Sequence, residues 1–377
     1  MESMHEHDVI VVGAGPAGST TGYLLARAGI DVLVIDRADF PRPKTCGGAV
    51  TWRMRRVVES IIGGSFPDMF PLSGRTVRFE IFERRRLMVR QLSPEPFYFV
   101  DRFRYDLDWM ERARGEGCRI RLGDPVRFVD PAAGTVVCRS GLRLRARIVV
   151  GADGANSLVR RCLFPGYPFK HDLGIAFQSE VSRRRLKPAF SSPAPKILLG
   201  DVRCGYGWIF PGDDKCVIGL CGLVRKNPRP AERFRRFSEG VLVEGEDSAP
   251  AVHPVPVGNF LEDPGRGHIL LVGDAAGFAD PLTGEGLYFA HRSAALAAGA
   301  IEAGLSAAGG PSPLSRYRAA LAPIYEELRA GLRLRDLAYG GARYLGYLFA
   351  RSARFYSLLA EGIHGIRRFS SLPFLSR

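Results

Sequence analysis

The sequence lacks the features that mark disulfide-rich, zinc-binding and secreted proteins. Its seven cysteines are scattered, odd in number and never spaced as C-x-x-C. Neither a disulfide framework nor a metal site is therefore expected, and a reducing compartment fits this cysteine usage. The first residues also lack the basic stretch of a signal peptide. We expect a cytoplasmic protein without a bound metal.

Acidic residues are too few to balance the basic ones, and lysine is especially rare. The 377 residues include 53 Lys and Arg against 39 Asp and Glu, a net charge of +14, and only six of the 53 are Lys. This excess indicates an anionic ligand or surface. We expect the protein to bind an anionic membrane surface, and we do not expect it to bind nucleic acid. At 46% hydrophobic residues, the chain is too apolar to be disordered.

No membrane-spanning helix is expected, although residues 9–26 contain no charge over 18 positions. Glycines 13, 15 and 18 interrupt this window. Residues 8–13 form a short β-branched run typical of a strand buried on both faces, residues 19–28 have a helical pattern, and residues 30–36 form a second apolar run. This order is a βαβ unit.

The three glycines of this unit have the G-x-G-x-x-G spacing of a dinucleotide-binding turn. Gly13 permits the tight turn, Gly15 allows the backbone to approach a pyrophosphate, and Gly18 allows the helix to pack close to the strand. Asp36 ends the second strand, where a carboxylate accepts hydrogen bonds from ribose hydroxyls. The unit therefore predicts binding of a dinucleotide.

Two later segments repeat the combination of a strand, an acid and a glycine-rich turn. Asp153 and Gly154 follow the strand at 148–150, and Asp274 follows the strand at 268–272 in a loop that continues to Gly286. Such turns are suited to hold a ribityl chain and a pyrophosphate. The three motifs together predict FAD as the dinucleotide.

The order of predicted elements indicates a discontinuous α/β fold. Residues 76–92 alternate like a hairpin with three arginines at its turn, and residues 170–260 mix short strands with turns. We expect a Rossmann-like FAD-binding domain formed by residues 1–72, 101–168 and 264–300. An antiparallel β-sheet substrate domain (73–100 and 169–263) is inserted into it, and residues 301–377 form a C-terminal helical region.

Three further motifs carry a resemblance to a known family. They are Lys44-Thr-Cys46-Gly47-Gly48, Tyr206-Gly-Trp208-Ile-Phe210-Pro211 and the Asp-Pro loop at 280–286. In this order they resemble the geranylgeranyl reductases, FAD-dependent oxidoreductases of the para-hydroxybenzoate hydroxylase-like superfamily. The resemblance covers residues 8–300.

The resemblance implies an enzyme that hydrogenates C=C bonds of a polyprenyl lipid or prenylated quinone with reduced FAD. It implies that Tyr206, Trp208, Phe210 and Pro211 line the substrate cavity. Cys46, or a water that it positions, is the candidate proton source and thus the candidate catalytic residue. The FAD-binding residues that the motifs and the resemblance imply are Gly13, Gly15, Pro16, Ala17, Gly18, Asp36, Arg37, Lys44, Cys46, Gly48, Arg102, Val126, Asp153, Gly154, Asp274, Gly284, Gly286 and Leu287.

Other functions of this superfamily stay open. A flavin-dependent halogenase needs a lysine near the flavin, and Lys44 is the one lysine near a motif. An aromatic monooxygenase usually has a histidine where Gly277 stands. A prenyl carrier without redox chemistry is the non-enzymatic alternative. Because the sequence has no second Rossmann fingerprint, NAD(P)H or another electron donor is expected to dock transiently.

The last fifty residues form a basic amphipathic segment. Residues 328–377 hold nine Arg against Asp336 and Glu361, with apolar residues at helical spacing from Leu345 to Ile366. Such a segment is typical of an interfacial helix on anionic lipid. We expect peripheral membrane binding through it, on the inner face of the membrane.

Overall fold

A computed structural model describes residues 5–166, 172–212, 214–243, 249–307, 309–340 and 360–366. In chain order, its strands are β1 (His5–Val12), β2 (Val32–Ile35), β3 (Ala49–Val50), β4 (Leu72–Glu83), β5 (Arg86–Val100), β6 (Arg119–Arg121), β7 (Val126–Asp130), β8 (Thr135–Cys138), β9 (Arg143–Gly151), β10 (Gly174–Ser182), β11 (Lys196–Leu199), β12 (Gly205–Pro211), β13 (Lys215–Leu223), β14 (Ala251–Val255), β15 (Gly265–Arg266) and β16 (Ile269–Leu271). The helices are α1 (Pro16–Arg27), α2 (Trp52–Ile62), α3 (Phe66–Met69), α4 (Arg102–Gly115), α5 (Leu158–Leu163), α6 (Pro230–Val241), α7 (Leu287–Ser306), α8 (Pro313–Ala320) and α9 (Ala322–Gly340).

The first sheet is the parallel sheet that the βαβ unit predicts. Its strands lie in the order β15-β16-β9-β1-β2-β6, and β16, β9, β1, β2 and β6 are parallel. Strands β7 and β8 extend it as an antiparallel meander beside β9. Residues 9–12 of β1 are buried because β1 lies between β2 and β9 and helix α1 packs against it.

The second sheet has the order β14-β10-β13-β12-β11-β4-β5-β3. Its pairs are antiparallel except β11 with β4, which are parallel. The expected α/β class, with a discontinuous nucleotide domain and an inserted sheet, is confirmed. One strand departs from the expected segments. Strand β3 lies within 1–72 but pairs with β5, so the loop before it passes from the first sheet to the second.

Residues 360–366 pack against α2 and β5. The ring of His364 is fully buried, its Nδ1 accepts a hydrogen bond from Trp52 N (3.0 Å), and its Nε2 lies 2.5 Å from Ser93 Oγ. Most of the expected interfacial segment, residues 341–359 and 367–377, lies outside the described residues. Of its apolar positions, Ile363 lines the cavity described below and Ile366 is 45% exposed. None of the helices in the described ranges has the length and hydrophobicity needed to cross a membrane.

Candidate functional site

One cavity of about 2550 Å³ runs between the two sheets. All the expected cofactor residues line it except Gly18, and Tyr206, Trp208 and Phe210 line it from the second sheet. Pro211 ends β12 and does not line the cavity. The volume exceeds the roughly 300–1,000 Å³ of a drug-sized pocket. The cavity therefore has room for a dinucleotide and a second ligand.

The glycine turn of the βαβ unit is shaped so that a ligand can approach its backbone closely. Gly13 has φ +104° and carries the chain out of β1, and Gly15 is the residue before α1. A Cβ at Gly18 would lie 1.7 Å from the carbonyl oxygen of Gly13, so α1 packs directly on the turn. Pro16 occupies the first helical position, where no hydrogen bond from its nitrogen is needed. This cradle leaves the amino end of α1 open to an anion.

Asp36 is held in place by the backbone. One carboxylate oxygen accepts a hydrogen bond from Ala14 N (2.7 Å) and the other from Ala38 N (2.9 Å). Each carboxylate oxygen has a further lone pair for a ligand hydroxyl. Asp36 therefore ties the end of β2 to the glycine turn and remains able to bind a ribose.

The two later acids have different roles. Asp153 caps α5, since its carboxylate accepts hydrogen bonds from Leu158 N (2.6 Å), Val159 N (3.2 Å) and Ser157 Oγ. The carboxylate of Asp274 accepts no hydrogen bond from any residue that the structure describes, although it faces the cavity. Burial raises the pKa of Asp274, and the charge of Lys44 opposes that rise. A carboxylate without a partner fits ligand hydroxyls.

Arg102 is buried and paired. Its guanidinium donates two hydrogen bonds to Asp106, Nε to Oδ1 at 2.7 Å and Nη2 to Oδ2 at 3.0 Å, and Arg42 also contacts this carboxylate at 3.5 Å. The charge of Asp106 raises the pKa of Arg102 despite burial, so Arg102 stays protonated. It lines the cavity and interacts with Cys46. The pair fixes a positive charge beside Cys46.

The loop from Lys44 to Gly48 crosses the cavity between the sheets. Cys46 is half-buried, and its sulfur accepts a hydrogen bond from Gly48 N at 3.4 Å. Gly47 lies against the rings of Trp208 and Phe210, where a Cβ would be 2.7 Å from Phe210. The loop thus brings a thiol to the aromatic wall of the second sheet.

Register explains how the second sheet forms this wall. Tyr206, Cys221, Ala176 and His253 are opposite one another on β12, β13, β10 and β14, so they share the cavity face. In the next row, Trp208 is opposite Gly219, and its ring covers that glycine. Tyr206 donates a hydrogen bond to the Thr283 carbonyl (2.5 Å) and so fastens the wall to the Asp-Pro loop.

Two buried polar atoms of this wall have no hydrogen-bond partner among the residues that the structure describes. They are Trp208 Nε1 and Gln178 Oε1, on side chains that are 6% and 8% exposed. Gln178 is also opposite Gly219 and shares the row of Trp208. An unpaired buried donor or acceptor is costly in the folded protein. The Trp208 donor and the Gln178 acceptor lie in an otherwise apolar wall, and they fit a ligand that has polar atoms opposite them.

A lysine–histidine pair also lines the cavity. Lys44 Nζ lies 2.5 Å from His253 Nε2. Burial, with the nearby charge of Arg102, lowers the pKa of Lys44 to about 8. Burial and the charge of Lys44 lower the pKa of His253 to about 3, so the histidine is neutral and its Nε2 accepts a hydrogen bond from the lysine ammonium group. Sequence reasoning missed His253 and Gln178, because only strand register shows that they face inward.

Comparisons with known proteins agree with this geometry. The FAD binding domain family matches residues 6–183. A geranylgeranyl diphosphate reductase of Rhodobacter capsulatus is 32% identical over 83% of this chain and 79% of its own length. A menaquinone reductase of Mycolicibacterium smegmatis is 31% identical over 79% and 76%. A solved structure from Thermoplasma acidophilum, described as geranylgeranyl bacteriochlorophyll reductase-like, superposes with a TM-score of 0.79 at 20% identity, covering 98% of each chain.

Proposed function

The chain belongs to the geranylgeranyl reductase family of FAD-dependent oxidoreductases, and on that premise we propose that it hydrogenates one or more C=C bonds of a polyprenyl chain. The observation that carries the proposal is the continuity of the FAD site with the aromatic wall of Tyr206, Trp208 and Phe210. The wall supplies an apolar surface for the chain, and the names of the relatives support a prenyl diphosphate or a prenylated quinone as substrate.

Reduced FAD, when bound, supplies hydride to one alkene carbon. The residues of this chain orient the substrate, keep water out and deliver a proton to the other carbon. Cys46 is the proposed donor or positions a donor water, since its thiol lies between the FAD site and the aromatic wall. The neighbouring Arg102 carries a fixed positive charge. Such a charge stabilises negative charge that develops beside it.

NAD(P)H or another reductant is the proposed electron donor, docking transiently as expected from the single dinucleotide motif.

The polyprenyl substrate is nearly insoluble in water, so we also propose peripheral binding to anionic membrane. Deleting residues beyond Gly341 would remove the basic segment expected to bind lipid, but it would also remove buried His364. Point substitutions therefore give a clearer test than truncation.

The reaction predicts a mass change that identifies the substrate. We expect lipids or quinones from cells with the protein to be heavier by two mass units per reduced bond than those from cells without it. Purified, FAD-loaded protein with a chemical reductant should produce the same shift on geranylgeranyl diphosphate or a menaquinone. Mass spectrometry measures both. No shift on either substrate in detergent would contradict the proposal.

The halogenase alternative rests on Lys44, which does line the cavity. Its ammonium group is hydrogen-bonded to His253. Halogenation of an aromatic substrate that requires bromide or chloride, without any prenyl reduction, would favour this alternative. Oxygen-dependent hydroxylation would favour a monooxygenase, and a purified protein that stays colourless on addition of FAD would favour a prenyl carrier.

Asp274→Ala is predicted to weaken FAD binding by about ten- to a hundredfold, because charge-assisted hydrogen bonds of this kind are worth roughly 1.5–3 kcal/mol. The carboxylate faces the cavity, and its removal leaves the hydrogen bonds between the described residues intact. Flavin absorbance of the purified variant measures occupancy. Asp336→Ala is the control, since Asp336 also lines the cavity but is exposed on α9. Full occupancy in Asp274→Ala would show that another residue holds the ribityl chain.

A further inference from the structure

The two buried polar side chains of the aromatic wall, Trp208 and Gln178, stand in one row of the second sheet. Trp208 on β12 and Gln178 on β10 are both opposite Gly219 on β13, which lies between them. Both side chains line the cavity. We call Trp208 and Gln178 the polar pair. It offers one N–H donor and one oxygen acceptor that the described part of the chain leaves unused.

The donor of the polar pair lies close to the loop that carries Cys46. A Cβ at Gly219 would be 2.1 Å from Cζ2 and 2.2 Å from Cε2 of the Trp208 ring, and Cε2 is bonded to Nε1. A Cβ at Gly47 would be 3.3 Å from Nε1 itself. The N–H group therefore lies between Gly219 and the Cys46 loop. Gln178 follows on the far side of Gly219.

The wall on the other side of Trp208 is apolar. Ile197 on β11 is opposite Trp208, Ile81 on β4 is opposite Ile197, and both line the cavity. Phe79 and Phe97 continue this surface on β4 and β5, with their ring centroids 6.3 Å apart. Neighbouring strands are about 4.8 Å apart, so the surface extends about 14 Å from β12 to β5. It has room for several isoprene units of an extended chain.

The cations nearest the Cys46 loop already have partners. Arg102 donates two hydrogen bonds to Asp106, and Lys44 donates one to His253. A diphosphate is bound most strongly by cationic donors that are free to turn towards it. The position beside the polar pair therefore favours an uncharged ligand group.

A hydroxyl is the uncharged group that uses both members of the polar pair. Its oxygen accepts a hydrogen bond from Trp208 Nε1, and its hydrogen is donated to Gln178 Oε1. An ether or carbonyl oxygen only accepts, and it would leave the Gln178 acceptor unpaired. A buried polar group that loses its partner costs binding energy, so such a pair discriminates between ligands.

We propose that the polar pair binds the hydroxyl of an uncharged head group, as in a prenylated quinol or a free prenol, and so presents the double bonds nearest the head group to the Cys46 loop. The proposal rests on the proposed function for the nature of the chain. The head group is held beside the loop, and the chain extends over the apolar surface towards β5. Trp208 and Gln178 then determine which substrate binds and which bond is reduced.

Binding can be measured apart from the reaction, because oxidised FAD has no hydride to donate. Calorimetric titration of the full-length protein, loaded with oxidised FAD in detergent, would compare geranylgeraniol, its methyl ether and geranylgeranyl diphosphate. The three ligands share one chain and differ only in the head group. We expect the alcohol to bind about tenfold more tightly than the ether, since only the alcohol donates to Gln178.

Two variants separate the members of the polar pair. Gln178→Met keeps a side chain of similar length without the acceptor, so it should bind the alcohol as weakly as the ether. Trp208→Phe removes the N–H group and keeps an aromatic ring, so it should weaken the binding of both ligands by about tenfold. Ile81→Leu is the matched control in the same row, and it should leave both affinities and their ratio unchanged.

Three results would overturn the proposal. Equal affinity of the unchanged protein for the alcohol and the ether would show that the polar pair holds only a water molecule. Diphosphate binding that is tighter than alcohol binding, and is unaffected in both variants, would place the head group at a charged part of the cavity. Loss of FAD from either variant would show that the polar pair contacts the flavin.

Turnover with chemically reduced FAD tests which bond is presented. Limited reaction with geranylgeraniol and with menaquinol, followed by fragmentation in a mass spectrometer, locates the reduced bond, and the faster substrate identifies the head group. We expect the bonds nearest the head group to be reduced first, and Gln178→Met to spread reduction along the chain. Reduction that begins at the far end would contradict the proposal. If neither substrate is reduced but the alcohol is still preferred in binding, the proposed function is wrong and the polar pair stands.

Discussion

Gly18→Ala is expected to abolish FAD binding. The added Cβ would lie 1.7 Å from the Gly13 carbonyl oxygen, well inside contact distance, and the obstructing atom is backbone. Helix α1 must therefore move away from the turn, which withdraws its amino end from the pyrophosphate. We expect the purified variant to be colourless and to bind added FAD at least a hundredfold more weakly, on the order of 3 kcal/mol.

Gly299→Ala is the matched control for this substitution. Gly299 lies inside α7, and an added Cβ there meets no atom within 4 Å. Alanine should leave FAD binding unchanged and raise the free energy of unfolding by roughly 0.5–1 kcal/mol, as expected for glycine to alanine in a helix. Absorbance spectra and thermal unfolding measure both effects. A yellow, FAD-saturated Gly18→Ala protein would show that the turn does not approach the cofactor.

Arg53→Met is expected to destabilise the fold by about 3–5 kcal/mol, the usual effect of removing one member of a buried charge cluster. The Arg53 guanidinium is buried and contacts three acids, Glu285, Asp280 (3.4 Å) and Glu327 (3.2 Å). It joins α2 to the Asp-Pro loop and to α9. Without it, three carboxylates face one another with no compensating charge.

The effect of Arg53→Met depends on pH in a defined direction. Burial already raises the pKa of Glu285 and Glu327, and Arg53 opposes that rise. Removing Arg53 raises both pKa values further above their unfolded values, so the carboxyls bind protons more readily when folded. The loss of stability should thus be small below about pH 4.3, where the unfolded chain is also protonated, and grow as pH rises through the folded pKa values.

Urea unfolding at several pH values measures this dependence. Arg56→Met is the control on the same helix, because Arg56 is 61% exposed and pairs only with Glu59 among the described residues. Its free energy of unfolding should change by less than about 0.5 kcal/mol at any pH. Equal destabilisation of both variants would show that helix α2, and not the charge cluster, is sensitive to the substitution.

The cofactor site could be predicted from the sequence because its determinants are local. The spacing of Gly13, Gly15 and Gly18 requires a strand, a turn and a helix within a few residues, and Asp36 follows on the adjacent strand. In the motifs of Asp153 and Asp274, the acid and the glycine-rich turn likewise lie in one short segment. The sequence therefore predicted FAD and the α/β class, which the structure and the relatives confirm.

Roles that depend on pairing between distant segments were decided by the tertiary structure. Asp153 and Asp274 stand in similar motifs, yet only the fold shows that the first caps a helix and that the second faces the cavity with no hydrogen bond from the described part of the chain. Burial of the hairpin residues could not be predicted either, since alternation identifies two faces without showing what covers them. His253 meets Lys44 across 209 residues because β14 pairs with β10. Strand register sets such contacts, and it is fixed by the packing of the whole sheet.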